Sequence, residues 1–141
     1  MKVPSRNWPW VVVMAGLAGC SRMPASAIGT GAKEKVREFY EGLVRQEWQQ
    51  AYATLHPESQ SHLSVEEFTL LAQTYRSSLG FEPEELHVQS CAEKEAEAIA
   101  HVVLTGHIES RQRRYKDAVV LRRSDDGWRI TLQDHFGRIA R

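Results

Sequence analysis

The chain has 141 residues, 42% of them hydrophobic, with 18 basic side chains, 18 acidic side chains and six histidines. That balance argues against a nucleic-acid partner, and the length leaves room for one domain with one core. Two cysteines, Cys20 and Cys91, are too few for a disulfide-stapled scaffold.

From the N-terminus, Lys2 and Arg6 are the only charges before a run, Trp8 to Gly19, that is apolar or glycine except for Pro9. The run falls short of the about 20 residues a spanning helix needs, and it closes on small residues, as processed export signals do. Its last residues, Leu17-Ala18-Gly19-Cys20, resemble the lipobox of bacterial lipoprotein signal peptides. The resemblance implies that residues 1–19 are removed and that Cys20 becomes an acylated first residue. Several acyl chains, each buried methylene contributing about 0.8 kcal/mol, would hold the protein in a membrane of the cell envelope. Ser21 is not the aspartate that favours inner-membrane retention in this class, so the outer membrane is favoured where the source has two. The remaining chain carries 16 bases against 18 acids.

Residues 20–31 then read as the lipidated cysteine and a flexible tether, because SRMPASAIGTG is rich in Pro, Gly and Ser without periodicity. Residues 32–141 form the domain. A first helix runs from Ala32 to about Gln46 on the spacing of Val36, Phe39, Tyr40 and Leu43, and a second, or a kinked continuation, carries Trp48, Ala51, Tyr52 and Leu55 as far as His56-Pro57. A third opens on a capping box, Ser64 with Glu67, and buries Phe68, Leu71, Ala72, Tyr75 and Leu79 before Gly80. Beyond Pro83 the period falls to two. Strands are predicted at 85–92, at 96–108 with the even positions inward, around Ala118-Val119-Val120-Leu121, and from Trp128 to about Asp134 after a hairpin turn at Ser124–Gly127.

Helices followed by an antiparallel sheet make an α+β domain. The order, the EWQQAYATLHP segment at 47–57 and the DGWRI hairpin at 126–130 resemble the NTF2-like, cystatin-superfold domains. That resemblance implies N-terminal helices packed in a curved antiparallel sheet, a cone whose open end holds a pocket in some families. It also implies a homodimer through the sheet.

Trp48, Tyr52, Tyr75 and Asp134 are the candidate pocket residues. Asp134 is read as the end of the face that carries Trp128, Ile130 and Leu132, where burial would raise its pKa. Two functions follow from these residues. One is non-catalytic binding of an envelope protein or a small ligand, and the other is a small lyase, isomerase or hydrolase using Asp134 with Tyr52 or Tyr75. No catalytic residue is carried over from the resemblance. Arg111, Arg113, Arg114 and Lys116 form a candidate basic patch beside anionic headgroups. His101 and His107 lie roughly 20 Å apart along one strand, too far to share a metal, so no metal site is expected. No Gly-rich phosphate loop and no Gly-x-Ser-x-Gly elbow occurs, so no cofactor is expected. Cys91 alternates with Ser90 onto the more polar sheet face, where a thiol could react or pair between molecules; a buried, inert cysteine is the alternative and the favoured reading.

Overall fold

The computed structural model describes residues 30–138, so Cys20, the stretch read as an export signal and most of the stretch read as a tether lie outside the described residues. Helix α1 (Ala32–Arg45) buries Ala32, Val36, Phe39, Tyr40 and Leu43, the three-and-four spacing of one helical face. It ends at Gln46, whose left-handed conformation turns its N–H back to the carbonyls of Gly42 and Leu43. Gly42 is needed where α2 (Trp48–Ala53) crosses, because a Cβ there would sit 2.9 Å from that of Ala51.

The second helix stops earlier than its apolar spacing predicts. Thr54 to His56 leave it to run beside the last strand, where Ile130 N–H donates to the Thr54 carbonyl at 2.9 Å and His56 N–H to the Ile130 carbonyl at 2.7 Å. A short helix that the sequence pattern does not announce, α3 (Pro57–His62), follows. His56 Nδ1 accepts from Glu58 N–H at 3.2 Å to cap it, and Pro57 occupies its first turn. Helix α4 (Val65–Ser78) opens on the expected capping box: Glu67 N–H donates to Ser64 Oγ, and the Ser64 N–H donates to the Glu67 carboxylate, each at 3.2 Å.

The strands β1 (Glu82–Glu93), β2 (Glu97–Ile108), β3 (Arg111–Ser124) and β4 (Gly127–Thr131) form one antiparallel sheet in the order β1-β2-β3-β4. Ala98, Ala100, Val102 and Leu104 face the helices, as their alternation predicts, and are at most 1% exposed. Two register shifts in β1 reset its faces. The second, between Val88 and Ser90, places Cys91 opposite buried Ala100 and packs it against the core, so the expectation of a polar-face thiol is corrected: a bulge inverts the alternation. Burial pushes the Cys91 thiol up, and the Glu93 and Glu34 carboxylates add to the rise, which keeps it a poor nucleophile at neutral pH.

At the start of the domain Thr30 is already fixed. Its hydroxyl donates to the Glu93 carboxylate at 2.6 Å and accepts from the Trp128 indole N–H at 2.5 Å. Thr30, within the stretch read as tether, is thus bound to the domain.

Candidate functional site

On β3 the alternation of side chains sets Tyr115, Asp117, Val119 and Leu121 on the helix-facing side, opposite Leu104, Val102, Ala100 and Ala98 of β2. Most of that row is apolar, and Asp117 interrupts it. Helix α1 brings Tyr40 and helix α4 brings Tyr75 to the same carboxylate. Their hydroxyls donate to Asp117 Oδ2 at 2.9 and 2.7 Å, while the Ala118 N–H donates to Oδ1 at 2.8 Å. One acid thus ties both long helices to the sheet.

The tyrosines are 2% and 7% exposed. Burial first, and then the adjacent Asp117 charge, raises both phenols well above the usual tyrosine range. They keep their protons and act as donors. Partial burial, and then Asp117, also raises Tyr115.

β4 ends at Thr131, and the chain then leaves the sheet through Leu132 and Gln133 into a turn over residues 134–137. Beyond that departure Phe136 packs inward. Its ring stacks on Tyr75 at 4.9 Å and on Phe68 at 5.9 Å, and lies 6.1 Å from Phe39. Gly137 makes the return, since it has φ 66° and a Cβ there would collide with the Leu71 carbonyl. Between these elements and β3 is a cavity of about 150 Å³ lined by Phe39, Tyr40, Tyr75, Tyr115, Asp117 and Phe136, with His135 and Arg138 also in its walls. Cavities of this size hold benzene-sized groups, whereas drug-sized ligands occupy about 300 Å³ or more.

Of the four residues read as a pocket, only Tyr75 lies here. Asp134 is exposed in the terminal turn and borders a separate hollow with His56, Glu58, His62 and Arg122, so its placement at the end of an apolar strand face is corrected: the strand stops three residues earlier. Tyr52 donates to the Leu63 carbonyl at 2.7 Å and tethers the α3–α4 link. Trp48 borders an open depression with Gln50, Glu66 and Thr69. No acid–tyrosine pair forms around Asp134. The group that does form centres on Asp117, and its signal was an acid in step with Tyr115, Val119 and Leu121.

The basic patch also divides. Arg111 and Arg113 lie on the helix-facing side of β3, and Arg114 and Lys116 on the opposite side, because neighbouring strand residues alternate. All four are exposed. Among the described residues no group of three or more His, Cys, Asp or Glu side chains is placed to hold a metal, and no helix is long and apolar enough to cross a membrane.

No protein-family description matches the chain, and no curated protein matches it. Solved structures do. A SEC-C motif containing protein from Rhodopseudomonas palustris is similar with a TM-score of 0.55 at 14% identity, over 77% of this chain and 81% of that one. A protein named as an NTF2-like transpeptidase from Campylobacter jejuni gives 0.54 at 11% identity, over 72% of this chain and 98% of that one. A SEC-C motif containing protein from Psychrobacter arcticus gives 0.57 at 12% identity, over 76% of this chain and 62% of that one. At these identities the likeness concerns the fold. It supports an NTF2-like fold: mixed helix and antiparallel four-stranded sheet, with the helices before the sheet.

Proposed function

We propose that this protein is a lipid-anchored envelope lipoprotein whose NTF2-like domain, a cone of helices in a curved sheet, binds a small ligand or a protein partner and performs no chemistry. The anchor rests on the Leu-Ala-Gly-Cys tetrapeptide behind a short apolar run. The binding reading rests on the Asp117 carboxylate, which accepts from two tyrosines and an amide at the wall of a small aromatic cavity. An acid engaged in this way organises a site and is poorly disposed to take a proton from a substrate. The outer sheet face, where Ile99 pairs with Val120, is the surface on which a second copy would sit.

Two measurements test this. The intact mass of membrane-extracted protein should begin at an acylated Cys20, and a retained residue 1 or an unmodified Cys20 overturns the anchor. A thermal-shift screen of cationic, anionic and neutral fragments should raise the melting temperature of the native chain with at least one fragment. The same fragment should fail on the Tyr115→Leu variant. A screen in which nothing shifts overturns small-ligand binding.

A further inference from the structure

We propose that the cavity beside Asp117 receives a small organic cation, an alkylammonium or quaternary ammonium group, held by the Asp117 carboxylate and the surrounding aromatic rings. This rests on the small-ligand reading of the same site and names the class of ligand. Size is the first argument: about 150 Å³ admits a group of a few heavy atoms and little more.

Charge is the second. Among the described residues Asp117 is the only carboxylate in the walls, and it is half-buried. A carboxylate offers about four acceptor positions, of which Tyr40, Tyr75 and the Ala118 amide take three. An acceptor position and a negative charge remain. Both buried phenolic protons are committed to Asp117, so neither tyrosine is left to donate to an anion, and an anion entering here would lie against the carboxylate.

The rings are the third. Phe39, Tyr40, Tyr75, Tyr115 and Phe136 contribute to one small cavity, and aromatic groups of this kind attract desolvated cations through their ring quadrupoles. Tyr115 meets Tyr75 edge to face at 6.2 Å and is itself 39% exposed, which puts it between the buried cluster and solvent. Arg138, exposed and also in the wall, opposes an incoming cation and sets a limit on its affinity.

The test uses the full chain in a non-ionic detergent, titrated by calorimetry with choline and with 3,3-dimethylbutan-1-ol, which has the same shape with carbon in place of the charged nitrogen. Choline should bind saturably and about tenfold or more tighter than the alcohol. Asp117→Asn, which keeps an acceptor for the tyrosines, should erase that preference, Tyr115→Leu should weaken choline about threefold or more, and Arg138→Gln should tighten it about twofold. Equal affinity for choline and the alcohol overturns the cationic class and leaves small-ligand binding standing. A preference that survives in Asp117→Asn, or a folded protein that binds neither probe, overturns the assignment. Tyr115→Leu and Arg138→Gln alter exposed residues, so they remain informative if the Asp117 variant fails to fold.

Discussion

The two halves of β3 behave differently although they are one strand. From Val120 to Ser124 it pairs with β4, and as far as Arg122 with β2 as well, and its inner residue Leu121 is fully buried with Trp128 and Ile130 beside it. From Arg111 to Val119 it is paired only to β2 among the described residues; Asp117 replaces an apolar inward residue, and Tyr115 and the bases around it are exposed. The cavity opens where β4 stops. In this domain the doubly paired half supplies stability through apolar burial, and the singly paired half exchanges part of that burial for a hydrogen-bonded acid and space beside it.

The largest predicted effect breaks the stable half. Trp128→Ala removes a ring that is 4% exposed, together with its hydrogen bond to Thr30, and should cost about 3 to 5 kcal/mol in denaturant unfolding. A loss below about 1 kcal/mol would mean that this half is not the stability centre.

Next comes the polar half. Asp117→Ala leaves the Tyr40 and Tyr75 hydroxyls without their acceptor and should cost about 1 to 3 kcal/mol, with Asp117→Asn recovering much of it. An Asn variant no better than Ala would show that the carboxylate charge, and not its acceptor geometry, holds the cluster.

The same cluster predicts a pH dependence. Tyr40 and Tyr75 have raised pKa values in the folded state, so the unfolded chain loses these protons first, at about pH 10. Their contribution to stability is full below about pH 10 and is lost as pH rises beyond it. Ultraviolet titration should show the two phenols ionising only as the protein unfolds, and ionisation of all four tyrosines near pH 10 in a folded chain would contradict the burial.

The smallest effect is expected at Asp134, which belongs to neither half. Asp134→Asn should change stability by no more than about 0.5 kcal/mol, and choline binding should be unaffected.

Periodicity carried most of the fold. The faces of α1 and α4, the capping box and the even face of β2 were legible because burial on one side writes a regular pattern. Helix α3 was not, since Glu58-Ser59-Gln60-Ser61-His62 has no apolar member and is held by its cap and by Pro57. The end of β4 was misplaced because Leu132 continues the alternation of Trp128 and Ile130, while Phe136 pulls the chain off the sheet into a packing that no local pattern encodes. Cys91 changed faces at a bulge, which sequence alternation cannot reveal. Asp117 was legible in part: it keeps step with Tyr115, Val119 and Leu121, but it sits in a run of bases that reads as solvated surface. Its partners come from 77 and 42 residues upstream, a convergence that only the folded chain displays.

The most direct test of a binding site at the end of the singly paired half is a map of backbone amide shifts on the isotope-labelled full chain titrated with choline. Saturable shifts should be confined to Asp117, Ala118 and Val119 and to the neighbourhoods of Tyr75 and Phe136. Shifts centred on Ile99 and Val120 of the outer sheet face, or on the hollow that Asp134 borders, would contradict it.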